Sequence, residues 1–108
     1  MLETYFRNMH KSLQLLNSIP NGKVTTYGIL AKICKTSPRA VGRIMANNPD
    51  TIGYPCYKVI GSDGRLVGYS GNGGLSTKIK LLEKDGIRIV NGRVDKSYFW
   101  RFAKLKEF

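Results

Sequence analysis

The sequence has 108 residues, 42% of them hydrophobic, enough for one compact domain and too few for two independent cores, so a single domain over 1–108 is expected. Its 18 Lys and Arg against 7 Asp and Glu give a formal charge of +11. That excess is self-repelling and calls for a polyanionic partner, nucleic acid first, with a generally solvated basic surface as the plainer alternative. No run reaches the about 20 apolar residues of a membrane span and no apolar leader opens the chain, so an intracellular protein without a membrane partner is expected. One histidine and two separated cysteines, Cys34 and Cys56, do not make a zinc signature, and neither a metal, a cofactor nor a structural disulfide is expected.

Taken in order, Leu2, Tyr5, Phe6, Met9, Leu13, Leu16 and Ile19 recur at three- and four-residue intervals and predict a core helix running to about Asn17. Pro20-Asn21-Gly22 ends it with turn chemistry. Thr26 is a helix N-cap for a short second helix whose Tyr27, Leu30, Ala31 and Cys34 share one face. After a turn at Lys35-Thr36, Ser37 as N-cap and Pro38 as first helical residue open a third helix, Arg39 through Ala46, completing a helix-turn-helix. On that helix Val41, Ile44 and Met45 form the apolar side, Ala40 and Gly42 remove bulk, and Arg39 and Arg43 supply charge. Small residues flanked by arginines suit close approach to a nucleic-acid backbone, and equally suit close packing inside the protein.

Tyr54-Pro55-Cys56-Tyr57-Lys58-Val59 is the stretch around which the chain is arranged. Pro55 fixes the backbone before Cys56, so the sulfur is expected at the rim of a turn, where the Lys58 cation favours a thiolate. A nucleophile and a buried small hydrophobe both remain open on this reading. Tyr57 to Ile60 and Arg65 to Tyr69 predict a hairpin about Gly61-Ser62-Asp63-Gly64, the wing of a winged helix. Gly68 to Gly74 reads as a mobile glycine-rich loop. Ser76 caps a fourth helix, Thr77 to Lys84, with Ile79, Leu81 and Leu82 toward the core and Gly86 as its stop. Asn91-Gly92 is the strongest hairpin signal, and the aromatic tail Tyr98-Phe99-Trp100-Arg101-Phe102 either caps the core or stacks on bases, packing being favoured. The expected fold is therefore α+β, a small winged-helix-like domain with a helix-turn-helix and short β-hairpins.

Taken together, Gly22 to Tyr27, Arg39-Ala40-Val41-Gly42, Asn48-Pro49, Pro55 to Val59 and Gly68 to Gly71, followed by Gly74-Leu75 and Leu81-Leu82, resemble the DNA-binding and active-site domain of the O6-alkylguanine-DNA alkyltransferases. The resemblance implies a monomer that binds double-stranded DNA containing O6-alkylguanine, turns the damaged base out of the stack, and moves its alkyl group irreversibly to Cys56. By position, Arg39 resembles the arginine that fills the vacated stack, Tyr27 the tyrosine that helps turn out the nucleotide, and Asn48 the asparagine that braces the active-site turn. Thr26, Ala40, Gly42 and Arg43 fall on the implied DNA face, and Met45, Val59, Tyr69 and Ser70 on the lesion pocket. Two departures stand out. The family commonly places a histidine after its cysteine, linked through water to a glutamate, whereas this chain has Tyr57 and Asp85, so slower transfer is expected. The ending from Asn91 to Trp100 resembles the alkyltransferase-like proteins, which bind alkylated bases without repairing them and work through other repair proteins. Those typically carry tryptophan or alanine where this chain has Cys56, and an acceptor atom is what a transferase cannot lack.

Overall fold

A computed structural model describes residues 11–68, 71 and 73–102. The first described helix, α1, occupies 11–16; Leu13, Leu16 and, beyond its end, Ile19 are buried as their spacing predicts. Leu2, Tyr5, Phe6, Met9 and His10 lie outside the described residues, as do Tyr69 and Ser70.

The strand β1 (Thr25–Thr26) runs directly into α2 (Tyr27–Cys34), because the Thr26 hydroxyl accepts the Ile29 N–H at 3.0 Å and so satisfies one of the orphan donors of the first turn. Lys35 adopts a left-handed conformation with φ 55°, and the Thr36 N–H returns to the Ala31 carbonyl at 2.9 Å, ending the helix without a glycine. Ser37 then caps α3 (Pro38–Ala46). Val41, Ile44 and Met45 enter the core as their spacing predicts. The helix-turn-helix is thus formed within a residue of its expected bounds.

The strand β2 (Val59–Ile60) pairs in parallel with β1, Thr25 opposite Val59 and Thr26 opposite Ile60. On the other side of β1, Val24 donates to the Tyr98 carbonyl and accepts from the Trp100 N–H. The aromatic tail therefore extends the sheet instead of hanging free, and Phe102 is buried. Strand alternation sends Val59 into one apolar cluster, with α1, α2, α3 and Cys56, and Ile60 into a second, with Val24, Leu82, Ile87 and Val94. The two clusters meet at β2.

The structure changes three expectations. Only Val59–Ile60 is strand in the segment expected from Tyr57, since Cys56–Lys58 forms a single 3-10 turn. The hairpin about Gly61–Gly64 closes, with Gly61 N–H on the Arg65 carbonyl at 2.8 Å, but its second arm does not pair with β2. The partners go elsewhere: Val94 donates to Gly64 and Leu66 to Gly92. The hairpin β3 (Ile89–Val90) and β4 (Arg93–Val94) does form on Asn91-Gly92, both at positive φ, 54° and 72°, the pair of left-handed residues that a tight hairpin turn requires. Third, α4 (Gly74–Lys84) begins at Gly74 rather than Thr77. Gly73, at φ 87°, starts it without a side-chain cap, and a Cβ there would collide with the Thr77 hydroxyl. The α+β class with its helix-turn-helix stands. Among the described residues, no helix is long and apolar enough to cross a membrane.

Candidate functional site

Cys56 is held by its neighbours' backbone. Pro55 lies at φ −73°, ψ 74°, an inverse γ-turn closed by the Cys56 N–H on the Tyr54 carbonyl at 2.7 Å. The Asn48 Nδ2 donates to that same carbonyl at 2.8 Å, while its Oδ1 accepts the Asp50 N–H at 3.0 Å. Asp50 Oδ1 in turn accepts from Ile52 and Gly53, and the Tyr54 N–H returns to the Asp50 carbonyl. One amide side chain just past the end of α3 thereby ties the helix-turn-helix to the cysteine turn. The Val59 N–H, on the Cys56 carbonyl, holds the far side.

The sulfur is not at the rim. Cys56 is 4% exposed and belongs to the apolar cluster that also contains Met45 and Val59, with Tyr27 packed against it. The turn folds the side chain inward because β1 and β2 are in register, which draws the start of α2 alongside the residues that follow the cysteine. Four of the sequence-derived residues, Cys56, Tyr27, Met45 and Val59, are thus brought together from four different elements.

Lys58 is engaged by other partners. Its ammonium forms an ion pair with Asp85 Oδ2 at 3.2 Å, without the alignment of a hydrogen bond, and donates to the carbonyls of Ile19 and Pro20 at 3.4 and 3.2 Å. A second buried cation, Lys78, which sequence reasoning missed, feels a charge on Cys56. Lys78 is 1% exposed, and its Nζ donates to the carbonyls of Val59, Val67 and Gly68 at 2.7, 2.8 and 3.0 Å. Burial pushes its pKa down to about 8, and a negative charge on Cys56 pulls it back up. Lys78 stands four residues before Leu82 and seven before Asp85, one face of α4, and that spacing was the available signal. Of the three α4 residues expected in the core, only Leu82 is fully buried.

Tyr27 is half-buried, and its phenol is raised above its ordinary value first by burial and then by the charge on Cys56, so it stays protonated and can donate. Tyr57 is half-buried against the second cluster, with the Lys58 Nζ 5.9 Å from its ring centre. Asp85 caps the end of α4 and reaches Lys58.

On α3, Arg39 and Arg43 are exposed and Ala40 is half-buried. A Cβ added at Gly42 would meet nothing within 4 Å. The small residue there does not serve close packing inside the protein; it leaves a face of the helix unobstructed. Thr26, by contrast, is buried beneath the start of α2 as its cap.

A family profile described as "6-O-methylguanine DNA methyltransferase, DNA binding domain" matches residues 8–87. A bifunctional methyltransferase/endonuclease of Picrophilus torridus is 52% identical over 83 residues, 75% of this chain and 27% of that protein. The methylated-DNA–protein-cysteine methyltransferase of Pyrobaculum aerophilum is 47% identical over 76 residues, 70% of this chain and 50% of that one. The chain therefore spans half or less of the length of these two relatives. Among solved structures, S. pombe Atl1, in complex with damaged DNA containing O6-carboxymethylguanine, superposes with a TM-score of 0.71 at 28% identity, covering 93% of this chain and 96% of that one. The O6-methylguanine-DNA methyltransferase of Pyrococcus kodakaraensis gives a TM-score of 0.64 at 42% identity, covering 73% of this chain and 46% of that one. With its helix-turn-helix joined through Asn48 to a buried cysteine, and a profile match over most of its length, the chain belongs to the 6-O-methylguanine DNA methyltransferase family, through that family's DNA-binding domain.

Proposed function

We propose that residues 1–108 act as one DNA-repair alkyltransferase domain, a methylated-DNA–protein-cysteine S-methyltransferase that works once per molecule. The observation that carries this reading is Cys56: a thiol buried among Met45, Val59 and Tyr27, held by the Asn48-braced turn and sensed by the Lys78 ammonium. An alkyl carbon on guanine O6 cannot meet that sulfur while the base is stacked, so the nucleotide must leave the duplex first. Arg39 enters the gap, Arg43 meets backbone phosphate, and the open face around Ala40 and Gly42 lets α3 lie in the minor groove. Met45 and Val59 border the space for the extruded base.

The Cys56 thiolate attacks the alkyl carbon, an S–C bond forms as the C–O6 bond breaks, and the bonding pair stays on O6. The proton given up by the thiol is balanced by the one the restored guanine takes up. The protonated Tyr27 phenol donates a hydrogen bond to the purine as charge collects on it. Tyr57 replaces the histidine that would pass the thiol proton on, and the Asp85 carboxylate is engaged by Lys58, so transfer is slow.

A second reading, a lesion-binding module that flags damage for other repair proteins, is favoured by the likeness to Atl1, which extends over nearly the whole of both chains. Mass spectrometry after incubation with a duplex containing O6-methylguanine separates the two. The expected result is one added methyl group on Cys56, and a Cys56→Ala protein that binds the same duplex unmodified. A wild-type protein that binds tightly yet stays unmodified under reducing conditions would be the lesion-binding module.

A further inference from the structure

Two grooves on this basic surface differ in their charge. One, about 590 Å³ beside the β3–β4 hairpin, is lined by Arg88, Arg93 and Lys96 but also by Asp63 and Asp95. Both carboxyls are held below their ordinary values, Asp63 first by the Arg65 backbone N–H and Asp95 first by the Ser97 hydroxyl, so they stay ionised and oppose an anion. The other, about 460 Å³, runs between α2, the start of α3 and the tail. Its charged lining is Lys32 and Arg101, both exposed; Thr36 and Ser62 add hydroxyls, and among the described residues no carboxylate lines it. The groove is also built to stay put. Its outer wall, Phe99 and Arg101, is pinned by the Trp100 N–H on the Val24 carbonyl and by the Thr25 hydroxyl on the Trp100 carbonyl at 3.0 Å, and the Arg101 guanidinium lies 5.9 Å from the Phe99 ring centre.

We propose that this second groove seats the sugar–phosphate backbone of the DNA strand running past α3, with Lys32 and Arg101 neutralising phosphates and Thr36 and Ser62 donating hydrogen bonds to them. Cations and hydroxyls without acids are phosphate chemistry. The occupant is duplex DNA because the groove is continuous with the DNA face: Thr26 and Pro38 line it, and they immediately precede Tyr27 and Arg39. This rests on the DNA-binding reading above and extends it into residues 98–102, past the end of the family match at residue 87. The tail is then part of the binding surface as well as a cover for the core.

The test is duplex binding by the full chain across a salt series, for wild type, Lys32→Gln, Arg101→Gln and the double variant, with Arg93→Gln from the acidic groove as comparison. Each groove cation should remove about 0.9 from the slope of log affinity against log salt, equally for damaged and undamaged duplex, with melting temperature unchanged because both side chains are exposed. Arg93→Gln should leave the slope alone. Wild-type slopes in Lys32→Gln and Arg101→Gln, or an equal loss in Arg93→Gln, would overturn the groove while leaving DNA binding standing. A wild-type chain that binds no duplex at all would overturn the DNA-binding reading and the groove with it.

Discussion

The helices α3 and α4 are both cationic, and they use their charge in opposite ways. On α3 the arginines point outward, the core side is filled by Val41, Ile44 and Met45, and the position that might have been packed, Gly42, faces open space. On α4 a lysine is turned into the protein and its amine is surrounded by carbonyls, while a carboxylate at the end of the same helix reaches a second buried lysine, Lys58. The difference follows from what each helix packs against. α3 lies on apolar side chains of α1 and α2, which offer nothing to an ammonium. α4 lies on the cysteine turn and on the segment entering the glycine-rich loop, where main-chain oxygens have no ladder to join. A buried cation is tolerable only where such acceptors are supplied. So α3 presents charge to a partner, and α4 uses charge to fix the distance between the nucleophile's turn and the loop beyond it.

The sharpest way to break this contrast is to unlatch α4. Asp85→Asn keeps the shape but leaves the Lys58 ammonium buried with only two carbonyls, one of them 3.4 Å away, and should cost about 3 kcal/mol of unfolding free energy. Chemical denaturation measures it, and a loss below about 1 kcal/mol would make the pair no stronger than a surface ion pair.

No larger, and specific in its pH dependence, is the effect of Lys78. Its pKa in the folded protein is about 8 against 10.5. Below pH 8 both states hold the proton and the cost of burying the ammonium is felt in full. Between 8 and 10.5 the folded state sheds a proton that the unfolded state keeps, so this group's contribution improves with pH, by up to about 3 kcal/mol. Denaturation of wild type and Lys78→Met at several pH values should give a difference that shifts in favour of wild type from about pH 7.5 to pH 10. A difference independent of pH would mean that the three carbonyls compensate the burial completely.

The smallest effect belongs to α3. Gly42→Ala should make the protein more stable by about 0.5–1 kcal/mol, because alanine loses less backbone freedom in a helix and its methyl meets nothing. The same methyl should weaken duplex binding. Stabilisation with undiminished binding would show that the open face is not where DNA lies.

Much of the site was legible locally. Thr26 and Ser37 are caps whose hydroxyls are satisfied by their own helices, Pro38 follows as a first helical residue, and Asn91-Gly92 carries its turn in two residues, so these features need no distant partner. Cys56 and Asn48 could be singled out because the proline turn and the motif order around them are contiguous. The wing could not be read in the same way. A glycine turn between two short apolar runs satisfies the rule for a hairpin, yet β2 pairs with Thr25–Thr26, 33 and more residues away, and the second arm pairs with the 92–94 region.

The sequence by itself determined the helix-turn-helix, the cysteine's turn and the basic balance, because caps, apolar spacing and proline act within a few residues. Only the tertiary structure decided where each buried lysine finds its acceptors and how deep the sulfur lies. Lys58 and Lys78 are equivalent as residue types, and adjacency favours Lys58. But an ammonium settles where oxygen acceptors converge, and those come from Ile19, Pro20 and Asp85 for one, and from Val59, Val67 and Gly68 for the other. Such meeting places exist only after the parallel pairing of β1 with β2 has brought the chain together.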